Sequence, residues 1–209
     1  MHFADRTDAG RQLATAVQRL ALDRPVVLAL PRGGVPVALE VARALNAPLD
    51  LLLVRKIGAP WNPEFAVGAI AEGAEPLVDD DSLRAAGATP AHVAREAAAA
   101  RAEIARRRQA WLAGRPAVPV AGRDVVVVDD GIATGSTVRA ALRALRQRAP
   151  ARVVLAVPVA PPDVVAALRA EVDALVCLRE PVPFDAVGAH YVDFHQVPDH
   201  EVTALLAAP

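Results

Sequence analysis

Cysteine, lysine and aromatic residues are all scarce in this chain of 209 residues. Cys177 is the only cysteine, Lys56 is the only lysine, and aromatic residues make up 3% of the sequence. One thiol cannot form an internal disulfide. The first ten residues, MHFADRTDAG, also lack the apolar core of a secretory signal. We therefore expect a cytoplasmic protein.

Neither sign of charge dominates, since the formal net charge is −1 at pH 7. Such a balance creates no field that would attract nucleic acid. No apolar run approaches the roughly 20 residues that are needed to cross a bilayer. We expect neither a nucleic acid nor a membrane as a partner. The length suits one domain with a sizeable core, and we predict a single domain over residues 1–209.

The stretch VVVVDDGIATGST at residues 125–137 combines a strand, a tight loop and the start of a helix. Four valines predict a buried strand, and helical spacing begins after Gly135 with Val138, Leu142 and Leu145. The loop would place backbone N–H groups and hydroxyls at a helix N-terminus, where the helix dipole favours an anion. The pattern therefore predicts a phosphate-binding loop formed by Thr134, Gly135, Ser136 and Thr137.

Two carboxylates, Asp129 and Asp130, directly precede this loop. They would repel a bare phosphate unless the ligand also brings hydroxyl donors or a metal ion. A ribose 5-phosphate meets both conditions, because its 2- and 3-hydroxyls can donate to the carboxylates while its phosphate lies on the loop. The structural alternative is an aspartate-capped helix after an ordinary strand. A nucleoside-triphosphate loop does not fit, because its lysine is missing.

At these residues the chain resembles the type I phosphoribosyltransferase family, whose signature is an apolar strand, two acidic residues, a short spacer and T-G-x-T. The resemblance implies transfer of a phosphoribosyl group between phosphoribosyl pyrophosphate and a nucleobase, or the reverse reaction on a nucleoside monophosphate. It also implies Mg²⁺ that is carried mainly by the ribosyl donor. One position departs from part of the family. Hypoxanthine-guanine members carry an acidic residue at the position before Thr134, whereas this chain has Ala133 there. In this respect the chain is similar to members that resemble the adenine and orotate enzymes.

A second strand, loop and helix occur near the N-terminus, at residues 26–45. The strand of residues 26–30 ends at a loop in which Gly33 and Gly34 let the backbone approach an anion, while Arg32 adds a fork of donors. A plain turn is the alternative from this motif alone. The resemblance implies that the loop holds the pyrophosphate of the donor.

A third apolar run, at residues 49–54, ends in Arg55 and Lys56. The proline-rich residues 59–64 that follow predict an irregular, mobile lid. The resemblance implies that Arg55 and Lys56 offset the charge of the pyrophosphate as it leaves; a solvated basic pair is the alternative. Glu64 and Glu72 are further candidates for handling a proton on the base.

The remaining pattern predicts a parallel, doubly wound sheet of about five strands flanked by helices. Further strands are expected at residues 152–158 and 174–178, with a helix at 162–170 between them, and a hairpin at 65–78. Ligands bind such sheets at the carboxyl ends of the strands, where all three candidate loops fall.

Residues 79–120 are predicted to be an insertion that contains a long helix from Pro90 to Leu112. Arg106, Arg107 and Arg108 lie near Glu103 on this helix, which favours a solvated, salt-bridged face. The helix could pack on the body of the protein or on a second subunit. A homo-oligomer is therefore possible.

The tail at residues 180–209 resembles the small hood of purine-type phosphoribosyltransferases, on the sequence FDAVGAHYVD from Phe184 to Asp193. The resemblance implies that Phe184 stacks on the base, with Tyr191 and Asp193 as further candidates; a packed C-terminal strand is the alternative. His190 and His195 have no metal-ligand spacing, so we assign no metal site to the protein's own side chains.

Two other functions fit the same motifs. One is a sensor that binds the donor or a nucleotide without catalysis, and the other is a phosphate-ester hydrolase that uses the same loop. Fold resemblance cannot separate them from the transferase, because function depends on the site.

Overall fold

The computed structural model describes residues 2–207, apart from the side chain of Glu64. The described chain divides into two compact units. Unit 1 comprises residues 2–52, 116–135 and 149–207, and unit 2 comprises residues 53–115 and 136–148. The assignment of the chain to one functional domain stays a prediction. Within the described part, no helix is both long enough and apolar enough to cross a membrane.

Seven α-helices and eight strands are formed by the described residues. The helices are α1 (Arg6–Val17), α2 (Gly34–Leu45), α3 (Asp80–Ala86), α4 (Pro90–Leu112), α5 (Ser136–Arg146), α6 (Pro162–Arg169) and α7 (Asp199–Ala207). The strands are β1 (Val26–Ala29), β2 (Leu49–Leu51), β3 (Val54–Ala59), β4 (Asn62–Ala71), β5 (Leu77–Val78), β6 (Asp124–Val128), β7 (Arg152–Val159) and β8 (Ala174–Arg179).

Unit 1 contains a five-stranded parallel sheet with the order β2-β1-β6-β7-β8. Every residue of β1 and β6 is buried, as is typical of parallel strands that are covered on both faces. The strand order reverses at β1, which pairs with β2 on one side and with β6 on the other. The predicted doubly wound parallel sheet is therefore confirmed. Its ligand-binding crevice is expected between the carboxyl ends of β1 and β6.

Helix α1 begins at Arg6, directly after its N-cap. Asp5 is the N-cap, because its carboxylate accepts the backbone N–H of Asp8 over 2.7 Å. Asp8 lies in the first turn instead, and its own carboxylate accepts the N–H of Ala4. Two aspartates three residues apart offer the same local signal, and only the backbone geometry distinguishes them.

The predicted strand at residues 49–54 is wrong in its extent. β2 ends at Leu51, and Val54 starts β3, which belongs to a separate antiparallel sheet in unit 2. Leu52 and Leu53 between them are buried, so the apolar run continues across the break and hides it. As a result, Arg55 and Lys56 lie inside β3 and not at the carboxyl end of a parallel strand.

The proline-rich segment at residues 59–64 is regular structure, contrary to the prediction. β3 and β4 form a hairpin in which Ala59 pairs with Asn62 across the turn. The pairing shifts register on both sides of Gly58, and a Cβ on Gly58 would lie 2.6 Å from the Cα of Pro63. A bulge accommodates a proline because the missing N–H breaks no regular ladder bond there. Mobility of this segment stays a prediction.

The long helix of unit 2 is confirmed with the predicted bounds, Pro90–Leu112, and Thr89 caps it. The salt-bridged face is also present. Glu103 accepts hydrogen bonds from Arg106 and Arg107, which lower the pKa of its carboxyl to about 2.

Helices α3 and α7 are absent from the sequence-based prediction. They are only seven and nine residues long, too short to give a clear apolar period. The residues between β8 and α7 form a short 3-10 turn, Val187–His190, and a single bridge between Phe3 and Tyr191. The alternative of a packed C-terminal strand is therefore not observed in the described tail.

Candidate functional site

The acidic pair lies at the carboxyl end of β6, beside the loop that follows β1. The two strands are in register, with Ala29 opposite Val128, so their loops leave the sheet side by side. Asp129 and Asp130 are both half-buried, and the backbone N–H of Asp130 donates to Oδ1 of Asp129 over 2.9 Å. The carboxylates thus lie where the strand order reverses.

Gly33 and Gly34 pack directly against this acidic pair. A Cβ on Gly33 would lie 1.9 Å from Oδ2 of Asp130, and one on Gly34 would lie 2.7 Å from the carbonyl oxygen of Val128. Neither position has room for a side chain. The loop after β1 and the loop after β6 therefore meet in contact, as the sequence predicts from the fold.

The carboxyl group of Asp129 has a raised pKa. Burial raises the pKa of its carboxyl well above the ordinary value, and the neighbouring Asp130 carboxylate raises it further. The guanidinium of Arg6 acts in the opposite direction with a smaller effect. Asp129 therefore releases its proton at a higher pH than an exposed aspartate would.

Arg6 of α1 binds Asp130, a contact that no sequence pattern predicts. Nε of Arg6 donates to Oδ2 of Asp130 over 2.8 Å, and the exposed fractions of the two side chains are 9% and 14%. The residues lie 124 positions apart, so no local pattern connects them. Arg6 is thus a site residue that only the fold reveals.

Arg32 does not contact the acidic pair in this structure. Its guanidinium forms an ion pair with Asp199 at the start of α7, with 3.4 Å between NH1 and Oδ1, and both side chains are largely exposed. The peptide bond before Arg32 is cis. An exposed ion pair of this kind contributes about 0 to 1 kcal/mol, so Arg32 could exchange Asp199 for an anionic ligand at little cost.

The predicted phosphate-binding loop leads into α5. Gly135 has a φ of +75°, and a Cβ there would lie 3.2 Å from Cγ1 of Val164. Thr134, Ser136 and Thr137 are exposed beside the helix N-terminus, an arrangement that favours an anion. Gly135 is the last residue of this segment of unit 1, and Ser136 begins the part of the loop that belongs to unit 2.

In unit 1, the first half of the loop lines a cavity of about 670 Å³ together with Phe184. Ala133 and Thr134 form one part of its wall, and Asp163 and Asp185 also line it. The remaining lining residues are apolar: Pro161, Pro162, Val164, Pro181 and Val182. This cavity is large enough for a flat heterocycle.

Phe184 is partly buried at this cavity. Its ring lies 5.2 Å from that of His190 at an angle of 32°, and it packs against the buried cluster that contains Phe3 and Tyr191. The side chain therefore serves the core of unit 1 as well as the cavity wall. Burial lowers the pKa of His190, so its imidazole is neutral at physiological pH.

In unit 2, Arg55 and Lys56 share a cavity of about 560 Å³ with Thr137, the last residue of the loop. Helix α4 adds Arg95, whose charge is partly offset by Glu96 at 3.7 Å. Three cationic side chains against one carboxylate give the cavity a net positive lining. The predicted basic pair and the second half of the loop are thus brought together.

His92 fixes α4 to the β3–β4 hairpin beside this cavity. Its Nδ1 accepts from Arg95 over 2.9 Å, and its Nε2 lies 2.8 Å from the carbonyl oxygen of Gly58. Because a guanidinium only donates and a carbonyl only accepts, the ring must be the neutral tautomer with its proton on Nε2. Nothing in the sequence near His92 pointed to this role.

The other candidate residues take structural contacts. Glu72 forms an ion pair with Arg108 of α4, and the side chain of Glu64 lies outside the described residues, so a role of either in handling a substrate proton stays a prediction. Asp193 accepts the backbone N–H of His195, whose ring contacts Glu201. Among the described side chains, no group of three or more His, Cys, Asp or Glu could hold a metal ion.

Comparison with known proteins finds similar sequences and structures. The model of a family described as "Phosphoribosyl transferase domain" matches residues 6–191. Two proteins of Mycobacterium tuberculosis, named "Putative phosphoribosyl transferase" MT0597 and Rv0571c, are each 47% identical over 204 residues, which is 98% of this chain and 46% of theirs. The chain thus spans about half the length of these curated relatives. The crystal structure of TT1426 from Thermus thermophilus is 50% identical with a TM-score of 0.89, over 99% of this chain and 98% of that one.

Proposed function

The chain belongs to the phosphoribosyl transferase domain family, and from this we propose that it transfers a 5-phosphoribosyl group between phosphoribosyl pyrophosphate and a nitrogenous base, with release of pyrophosphate. The observation that carries the proposal is the contact between Asp130 and Gly33 at the point where the strand order reverses. It joins a pair of hydroxyl-binding carboxylates to a loop that suits an anion.

The ribose would be held by the acidic pair. Asp129 and Asp130 offer acceptors to the 2- and 3-hydroxyls, and the ionised carboxylate opposes the positive charge that develops on the ribose ring as the pyrophosphate leaves. The 5-phosphate would bind the loop Thr134–Thr137 at the start of α5. Catalysis would then consist mainly of positioning and of electrostatic stabilisation.

The cations of unit 2 are proposed to offset the charge of the pyrophosphate. Arg55, Lys56 and Arg95 line one cavity with Thr137, and among its described lining residues only Glu96 opposes their charge. A leaving group with several negative charges gains most from such cations as its charge increases in the transition state. This role rests on their charge and on the family resemblance.

Mg²⁺ is proposed to arrive with the donor. Magnesium in phosphate chemistry is commonly held by one or two carboxylates together with the phosphates of the substrate. In this chain the ion would be held mainly by the oxygens of the donor, because the described side chains include no group of three or more His, Cys, Asp or Glu that could hold it. The ion would neutralise charge on the pyrophosphate.

The acceptor base is proposed to enter the cavity beside Phe184. The cavity adjoins Thr134 of the phosphate loop and offers one aromatic ring and several apolar walls. A planar heterocycle stacks well on such a surface. We place the reaction in nucleotide metabolism; the cytoplasmic location and a homo-oligomer stay predictions.

The test is a panel of nucleobases incubated with phosphoribosyl pyrophosphate and Mg²⁺ and analysed by mass spectrometry. A new nucleoside monophosphate mass identifies the acceptor, and Asp130→Ala should abolish it while circular dichroism shows an intact fold. If no base reacts but the wild type binds the donor, the sensor is favoured. If the donor only loses phosphate, the hydrolase is favoured.

A further inference from the structure

We propose that Arg6 is a positioning residue of the ribose site, which orients the carboxylate of Asp130 and connects it to the C-terminal tail. This inference rests on the proposed function. It assigns a role to a residue outside the motifs of both loops, on the first helix of the chain.

Arg6 is held by three contacts that leave its guanidinium a single orientation. Nε donates to Oδ2 of Asp130, NH1 donates to the carbonyl oxygen of His195 over 2.8 Å, and the guanidinium lies 3.8 Å from the centre of the Phe194 ring. A planar fork with fixed donors can satisfy all three at once, which the ammonium of lysine cannot do. The direction of the Asp130 carboxylate is therefore set by Arg6.

The ion pair still leaves Asp130 able to bind a ligand. A carboxylate can accept about four hydrogen bonds, and Arg6 Nε uses one of them on Oδ2. The carboxylate also cannot swing toward the loop after β1, since Oδ2 already occupies the space where a Cβ of Gly33 would be. Arg6 thus holds Oδ2 of Asp130 in the space that the absence of a side chain on Gly33 leaves open.

The charge of Arg6 also acts on Asp129. The charged or titratable groups near this carboxyl are Asp130 beside it, Arg6 on α1 and Tyr191 in the tail. The Asp130 carboxylate raises the pKa of Asp129, whereas a hydrogen bond from the backbone N–H of Asp130 and the charge of Arg6 lower it. Removal of the positive charge should therefore raise the pKa of Asp129 further. The acid limb of the pH profile for donor use should then move to higher pH.

The experiment compares Arg6→Gln and Arg6→Lys in the full chain, with Arg11→Gln as the matched control. Arg11 lies on the same helix, and its side chain is 70% exposed in a pair with Glu40. For each variant, kcat/KM for the donor is measured across the acid and neutral range, the KM of the acceptor is measured near neutral pH, and thermal unfolding is recorded.

We expect Arg6→Gln to lower kcat/KM for the donor by about 10- to 100-fold, as for loss of a hydrogen bond to a charged group, and to move the acid limb of the pH profile to higher pH. Arg6→Lys should keep the acid limb of the pH profile in place, because it keeps the positive charge. It should still raise the donor KM, because lysine lacks the planar, forked set of N–H donors of the guanidinium. Arg11→Gln should match the wild type in all measurements.

A purely structural role for Arg6 predicts a different result. Both variants would then melt at lower temperature, but below their melting points they would show wild-type donor kinetics and a wild-type pH profile, and this would overturn the proposal. If Arg6→Gln does not fold, an unchanged donor KM in Arg6→Lys overturns it equally. Failure of the wild type itself to bind donor would refute the proposed function, whereas donor binding that is insensitive to both substitutions refutes only the role of Arg6.

Discussion

The hydroxyl of Tyr191 donates a hydrogen bond of 2.5 Å to the backbone carbonyl oxygen of Asp130. Tyr191 is buried, and burial raises the pKa of its phenol, so the group stays a neutral donor at any pH at which the protein would be studied. Tyr191 of the tail therefore supports the backbone of Asp130, while Arg6 holds the side chain of Asp130.

Tyr191→Phe should destabilise unit 1, because the carbonyl oxygen of Asp130 loses its donor in a buried setting. The expected cost is about 1 to 3 kcal/mol of unfolding free energy. Differential scanning calorimetry measures it, with Val192→Ala as the control, since Val192 is the next residue and is 79% exposed. A melting temperature equal to that of the wild type would show that water replaces the phenol.

Gly33→Ala should abolish donor binding, because a Cβ at this position would overlap Oδ2 of Asp130 and push the carboxylate away from its place. Gly87→Ala is the control for backbone strain alone. Gly87 has a φ of +60° with nothing within 4 Å of an added Cβ, so that variant should lose about 1 to 2 kcal/mol of stability but keep donor binding. Calorimetric titration with the donor distinguishes the two, and normal affinity in Gly33→Ala would contradict the geometry.

Lys56→Ala should lower kcat more than it weakens donor binding, since the charge matters most as the pyrophosphate leaves. The loss in kcat should be on the order of 10- to 100-fold, less than for a fully buried donor because Lys56 is half-exposed. Arg84→Ala is the control, because that exposed side chain forms its ion pair with Asp81 and does not line the cavity of Lys56. Equal losses in affinity and kcat would indicate ordinary ground-state binding.

Phe184→Ala should weaken binding of the acceptor base more than binding of the donor. Stacking of a base on an aromatic ring contributes about 1 to 3 kcal/mol, so the KM of the base should rise by roughly 5- to 150-fold. Because Phe184 also packs on the core, the melting temperature must be measured beside both constants. Equal loss for donor and base, together with a lower melting temperature, would assign Phe184 to the core alone.

The charge of the proposed acceptor cavity predicts which bases should react. Asp163 and Asp185 line it, and its described lining includes no lysine, arginine or histidine. Neutral bases with amino groups should therefore react faster than orotate or nicotinate, whose carboxylates would be repelled. The double substitution of Asp163→Asn and Asp185→Asn should reduce the difference in reaction rate between neutral and carboxylated bases. Faster reaction of a carboxylated base with the wild type would show that the acceptor binds elsewhere.

The parallel sheet and its two loops could be predicted from sequence because each has a local cause. Buried parallel strands are continuous apolar runs, and glycines after a strand mark a close approach. Sequence also correctly places Asp129–Asp130 beside Gly33–Gly34, since topology alone decides which strand ends adjoin. Local patterns could not predict the contact of Arg6 with Asp130 or of His92 with Gly58, because these contacts depend on distant segments.

The errors in the sequence-based prediction have equally physical causes. Leu52 and Leu53 are buried like strand residues although they belong to neither β2 nor β3, so hydrophobicity joined two strands of different sheets. Prolines near residue 60 suggested irregular backbone, but a bulge accepts Pro63 within β4. In both cases tertiary context overrode a sound local preference.

The pairing of Phe3 with Tyr191 also bears on the order in which unit 1 can fold during synthesis. The backbone N–H of Phe3 donates to His190 and its carbonyl oxygen accepts from Val192, so the first residues of the unit can pair only when nearly the last ones are present. A ribosome releases β1 and β6 long before it releases His195, whose carbonyl oxygen binds Arg6. Such long loops must be closed before their contacts form, which makes this step slow. On a nascent chain, the sheet can therefore form while the acidic pair still lacks its supports, and the site is completed only when the tail emerges.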